Sequence, residues 1–137
     1  MRNSKPILLI EDDHVDAMTV KRILKEIKVG NRLDIVKDGE EALKFLKDTK
    51  TDRPGIILLD LNMPRMNGIE FLEIFIKDEN LKMIPVIVLT TSKGDQDIAD
   101  SFNLGVSGYM IKPVDYHKFV EILTAIDQYW TLSELPV

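Results

Sequence analysis

Five short apolar runs recur along the chain, at Ile7 to Ile10, Leu33 to Val36, Ile56 to Leu59, Val86 to Leu89 and Tyr109 to Ile111. Each is followed by a stretch with helical periodicity. This alternation constrains the fold more than any other feature, because strands that alternate with helices pair in parallel through helical crossovers. Val20, Ile23, Leu24 and Ile27 fall at i, i+3, i+4 and i+7 in the first helix, which is expected to stop near Gly30; Phe119, Ile122, Leu123 and Ile126 repeat the spacing in the last. Asp38-Gly39 and Asn67-Gly68 mark the entries to the second and third helices, and Asp115 suits the cap of the fifth. The fourth helix has only the thin stripe Ile98, Ala99 and Phe102. Five such units, without repeats, low-complexity tracts or a linker, predict one α/β domain over residues 1–128, a doubly wound five-stranded parallel sheet. Residues 129–137 are left as a C-terminal extension.

Composition narrows the function classes. The 137 residues are 45% apolar, enough for one continuous core. The chain has no cysteine, which removes disulfides, thiolate catalysis and cysteine metal clusters and is compatible with a reducing cytoplasm. No apolar run approaches the roughly 20 residues that span a bilayer, and MRNSKP leads straight into a strand, so a soluble cytoplasmic protein with no membrane contact is expected. With 18 basic against 23 acidic residues the net charge is -5, which disfavours a nucleic-acid partner.

In doubly wound sheets ligands gather beyond the carboxyl ends of the strands. That rule selects Glu11-Asp12-Asp13 after the first strand, Asp60 after the third, Thr90-Thr91 after the fourth and Lys112-Pro113 after the fifth. Asp60 ends the run GIILLD, a strand apolar on both faces, so its carboxylate lies at the rim of a core, where burial raises the cost of its charge. Two carboxylates about 5 Å apart repel by roughly 3 kcal/mol at an effective dielectric near 20. A hard divalent cation removes that repulsion, and Mg²⁺ suits two carboxylates, a backbone carbonyl and a phosphate oxygen. Asp60 can then act as a nucleophile toward phosphorus, with the Thr90 hydroxyl and the Lys112 ammonium each meeting one phosphoryl oxygen.

IEDD, DLNMPRMNG, VLTTS and YMIKP, in this order, resemble the receiver domain of two-component response regulators over residues 5 to about 127. The resemblance implies a flavodoxin-like fold with strand order 2-1-3-4-5. It makes Asp60 the phosphoacceptor, with Asp12 and the Asn62 carbonyl beside it on Mg²⁺ (or Mn²⁺ as substitute) and Glu11 in the first place of the acidic pair. It places Thr90 and Lys112 as the switch hydroxyl and lysine, Tyr109 as the rotating aromatic, and a cis bond at Lys112-Pro113. By the same resemblance the chain is a stand-alone signalling domain and not an enzyme beyond its own phosphotransfer and dephosphorylation, the donor being a sensor histidine kinase. The tail DQYWTLSELPV is similar to the extension of single-domain regulators paired with phytochrome-type kinases.

Other readings of the same residues are weaker. Glu11, Asp12 and Asp13 also suit the start of a helix, and His14 and His117 lack zinc spacing and read as surface residues. SKGD at 92–95 mimics a guanine-recognition tetrapeptide, but no phosphate-binding loop accompanies it. Asp60-x-Asn62 begins like a calcium loop, yet Pro64 takes the third ligand place. A phosphohydrolase of the haloacid-dehalogenase type wants an acid where Asn62 stands, and a pseudo-receiver that only docks would not need the acid, hydroxyl and lysine together. Tyr129, Trp130, Leu132 and Leu135 lack an element to cover them, so a homodimer through the last helix and tail is expected, with the tail folded back on its own domain as the alternative.

Overall fold

The computed structural model describes residues 4–134. Five parallel strands, β1 (Ile7–Ile10), β2 (Leu33–Val36), β3 (Ile56–Leu59), β4 (Val86–Thr90) and β5 (Gly108–Ile111), form one sheet in the order β2-β1-β3-β4-β5. Between and after them lie α1 (His14–Glu26), α2 (Gly39–Lys47), α3 (Gly68–Phe75), α4 (Asp95–Asn103) and α5 (Tyr116–Leu132), with a single 3₁₀ turn at Leu81–Met83. The doubly wound fold is as the strand–helix alternation implied, and the strand order is as the resemblance to receiver domains implied.

The two-residue period of a strand divides the core into two layers. Ile7 and Leu9 of β1, Ile56 and Leu58 of β3, and Ile87 and Leu89 of β4 pack with Val20, Ile23 and Leu24 of α1 and Phe119, Leu123 and Ile126 of α5. Their neighbours Leu8, Ile10, Ile57, Leu59, Val86 and Val88 pack on the other face with Ala42 and Leu43 of α2 and Phe71, Leu72 and Phe75 of α3. The central strands are therefore buried on both faces, while the edge strands β2 and β5 are mostly half-buried. Register fixes where they end: Ile10 pairs with Leu59, so the residues that follow, Glu11 and Asp60, leave the sheet side by side.

Helix starts follow the expected chemistry. Asp13, Asp38 and Asp115 each accept a backbone N–H in the first turn, and Asn67 forms a capping box with Glu70. Gly68 is required by close approach, since a Cβ there would come within 2.8 Å of the Asp60 carbonyl oxygen. The end of α1 departs from expectation. Gly30 does not stop it; Lys28 takes the left-handed conformation at φ 64°, and the bonds Val29 N to Leu24 O and Lys28 N to Lys25 O close a Schellman motif. α4 forms, but of its residues only Ser101 is buried, and Phe102 stays half exposed, as its thin stripe implied.

Two further expectations are corrected. No cis peptide bond occurs among the described residues, so Lys112-Pro113 is trans, the form favoured at X-Pro by about 0.5–1 kcal/mol. Trp130 does not await a partner. α5 runs on to Leu132 and lays the indole, 1% exposed, against the sheet layer that holds Ile7 and Ile56. Gly55 makes the space: a Cβ there would meet the indole ring at 2.7 Å and the Lys5 Cβ at 2.9 Å. The indole N–H has no hydrogen-bond partner, so its contribution is apolar burial. Tyr129 and Leu132 point outward, and Leu135 lies outside the described residues. Among the described residues no helix is long and apolar enough to cross a membrane.

Trp130→Ala is therefore expected to lower unfolding stability by about 3–5 kcal/mol. Leu132→Ala, at an exposed position, should stay within about 0.5 kcal/mol of wild type. Urea denaturation of the full chain checks both, and equal small effects would remove Trp130 from the core.

Candidate functional site

Four strand ends build the site. Glu11 N donates to Val36 O at 2.9 Å and Asp60 N donates to Ile10 O at 3.0 Å, which carries the ladder one residue past β1 and β3 and fixes both acids at the rim. Lys112 N donates to Thr90 O at 2.8 Å, which does the same for β5 against β4. Glu11, Asp60 and Thr90 are buried, at 2%, 6% and 0% exposure.

The Lys112 ammonium joins the acids. Its Nζ hydrogen-bonds Glu11 Oε1 directly, reaches Asp16 Oδ2 at 2.9 Å and stands 3.8 Å from Asp60 Oδ2. Burial pushes the Glu11 carboxyl up to about 7; the Lys112 hydrogen bond opposes the shift and the Asp60 charge adds to it. Burial alone would depress the Lys112 ammonium, but the bonds to Glu11 and Asp16, with the Asp60 charge, outweigh it and raise its pKa. One cation thus serves three carboxylates, a deficit of positive charge at the rim. Asp60 Oδ1 is buried with no hydrogen-bond partner among the described residues.

Asp16 was not singled out from sequence, although an acid in the first turn of a helix is an ordinary dipole signal. Of the acidic triplet, Asp13 is the α1 cap, accepting Asp16 N at 3.0 Å. Asp12 is exposed and has no hydrogen-bond or ion-pair partner among the described residues, and Asn62 is exposed on the loop after β3. No group of three or more acidic, histidine or cysteine side chains converges as a ready metal cage among the described residues. Lys112, expected at a phosphoryl oxygen, lies here against the acids. His14 and His117 are exposed.

Thr90 and Tyr109 meet through a residue that sequence reasoning passed over. Thr90 Oγ1 accepts from Ser92 N at 3.4 Å, and the Tyr109 hydroxyl donates to Ser92 O at 3.0 Å. Tyr109 is half-buried, and burial raises the pKa of its phenol.

The profile of the response regulator receiver domain matches residues 7–124. Response regulator Rcp1 of Synechocystis sp. is 36% identical over 130 residues, covering 92% of this chain and 88% of that protein. The probable methanogenesis regulatory protein FilR2 of Methanothrix harundinacea is 34% identical over 127 residues, covering 90% and 82%. Among solved structures, the phosphorylated cyanobacterial phytochrome response regulator RcpA superposes with a TM-score of 0.91 at 34% identity, covering 98% of this chain and 100% of that one. The Mn²⁺-bound form of Rcp1 superposes with a TM-score of 0.89 at 36% identity, covering 97% and 99%. A five-stranded sheet with acids, a hydroxyl and a lysine on one rim, matched along nearly its whole length, places this chain in the response regulator receiver family.

Proposed function

We propose that Asp60 is the residue of this receiver that takes the phosphoryl group. The observation that carries this reading is the unpartnered, buried Asp60 Oδ1 at the end of the central strand, beside the Lys112 ammonium. With a sensor histidine kinase as donor, a carboxylate oxygen of Asp60 attacks phosphorus, the P–N bond breaks, and the imidazole keeps the electron pair and takes up a proton. The orphaned oxygen and the excess of carboxylates over ammonium fit a divalent cation. Glu11, Asp12 and Asp60, with the Asn62 carbonyl, would hold Mg²⁺, and the Mn²⁺-bound form of Rcp1 supports Mn²⁺ as a substitute. When bound, such an ion neutralises the charge that Asp60 and the incoming phosphoryl group bring together.

The protein's own groups do the rest. Thr90 Oγ1 accepts from Ser92, which leaves its O–H to donate to a phosphoryl oxygen. Lys112 trades carboxylate partners for the phosphoryl group, and Tyr109 follows Thr90. The change in shape is the signal, read by protein contact in the cytoplasm, and any turnover is the domain's own phosphotransfer and dephosphorylation. Self-association through the last helix rests on Tyr129 and Leu132, 41% and 81% exposed on the outer side of α5.

Acetyl phosphate with Mg²⁺ is expected to add one phosphoryl group to the wild-type chain, and none to Asp60→Asn or in the presence of chelator. Intact-mass spectrometry decides it, and equal labelling of both chains would sink the assignment. Lys112→Ala should label about tenfold more slowly or worse, given the worth of a charge-assisted hydrogen bond. Once labelled, it should show no phosphate-dependent amide shifts around Tyr109; wild-type shifts would remove Lys112 from the switch. Sedimentation equilibrium should find a micromolar dimer that Leu132→Glu weakens at least about tenfold, since a charge in an apolar contact loses its hydration. Monomers for both chains at high micromolar concentration would refute the pairing.

A further inference from the structure

The loop between β4 and α4 carries hydrogen bonds that the roles of Asp60, Thr90 and Lys112 leave unused. The Ser92 hydroxyl donates to Asp97 Oδ2 at 2.5 Å, and Ser92 Oγ in turn accepts from Gly94 N at 3.4 Å. Ser92 N donates to Thr90 Oγ1 at 3.4 Å, and Ser92 O accepts the Tyr109 hydroxyl at 3.0 Å. One residue therefore touches the terminal hydroxyl of β4, the aromatic of β5 and an acid in the first turn of α4.

α4 makes this tie consequential. The other four α-helices each have a side-chain cap, whereas the N-cap of α4 is Gly94, which has none. Asp97, in the first turn, reaches back to the Ser92 side chain instead. Apolar packing does little to fix the helix: only Ser101 is buried, its hydroxyl has no partner, and Phe102 is half exposed. With a weak apolar face and no side-chain cap at Gly94, the start of α4 is tied to the preceding loop by the Ser92–Asp97 bond.

We infer that Ser92 and Asp97 are positioning residues, a latch that orients the β4–α4 loop so that the Ser92 N–H meets Thr90 while its carbonyl meets Tyr109. The inference rests on the proposed roles of Thr90 and Tyr109 and deepens them. The N–H and the C=O of Ser92 are linked through its own φ and ψ, so a rotation of the residue alters both contacts together. When Thr90 turns toward a phosphoryl oxygen it gives up the Ser92 N–H. The Tyr109 contact and the α4 tie then share the consequence. The Asp97 bond sets how readily that rotation happens, because it holds the side chain of the residue that must rotate.

The test uses the full chain without phosphodonor, labelled with 3-fluorotyrosine, with the Tyr109 resonance assigned by its loss in Tyr109→Phe. Ser92→Ala and Asp97→Ala are each expected to move that resonance in the same direction. Each should also raise the population of displaced Tyr109 about tenfold, the worth of a hydrogen bond to a charged group. The double variant should do no more than either alone, because both remove one bond. An unmoved Tyr109 resonance, or effects that add, would overturn the latch. Asp60 labelling by acetyl phosphate in the same variants separates the two levels. Labelling as in wild type with an unmoved Tyr109 refutes the latch alone, while failure to label wild type refutes the phosphoacceptor and leaves the fluorine result to judge the latch.

Discussion

The position of Lys112 governs the geometry of the rim. β5 is an edge strand, separated from β1 by β4 and β3, so no backbone ladder joins the two. The lysine side chain closes that distance, reaching Glu11 after β1, Asp16 on α1 and Asp60 after β3 from one ammonium. A buried amino group without acids would tend to lose its proton, and buried acids without a cation would tend to gain one. Here Lys112 opposes the rise of Glu11 and Glu11 helps to raise Lys112, though burial still pushes Glu11 up to about 7. Such clusters add little net stability, because desolvation offsets most of the attraction. What this one supplies is an arrangement of charge that can be redistributed when a new anion arrives.

The acids reach that rim because the strands leading to them are so apolar. ILLI and IILL are buried on both faces, so neither strand can shift by a residue without placing Glu11 or Asp60 inside the sheet. Register, paid for by hydrophobic burial, thereby fixes the relative height of two carboxylates that would otherwise repel. The loops then need room to turn, which Gly68 provides, since a Cβ there would stand 2.8 Å from the Asp60 carbonyl oxygen.

Much of this was legible in the sequence, and the misses have physical causes. Strands, their alternation with helices and the caps at Asp38, Asn67 and Asp115 follow from local pattern and local hydrogen bonding, which the chain states directly. The pattern puts the stop of α1 near Gly30, whereas Lys28 is the left-handed residue that closes it. Lys28 accepts that conformation since two Schellman bonds and the following Val29 repay it, whereas a Cβ on Gly30 would meet nothing within 4 Å. Trp130 is expected from sequence to need a partner's cover, with the fold-back only the alternative, because the space it fills is made by Gly55, 75 residues earlier, and no local pattern announces a missing Cβ as a socket. Asp16 and Ser92 were overlooked for a similar reason: their partners, Lys112 and Tyr109, are distant in sequence, and neither residue belongs to a strand end.

Under the assignment of Asp60, this network limits how the switch can work. Reversing a two-state preference from 1:99 to 99:1 takes about 5.5 kcal/mol of differential interaction. If Lys112 merely exchanges a carboxylate for a phosphoryl oxygen, it trades one charge-assisted bond for another, and little of that difference remains. The rest has to come from contacts that exist in one state only. Thr90 is one source, since its free O–H gains an anionic acceptor while its oxygen gives up only the long Ser92 bond. Relief of Glu11 is not another, because departure of Lys112 would leave that buried acid without its cation. A neutral Glu11 or a second cation must then balance it, which ties the energy of the switch to whatever ion the carboxylates hold.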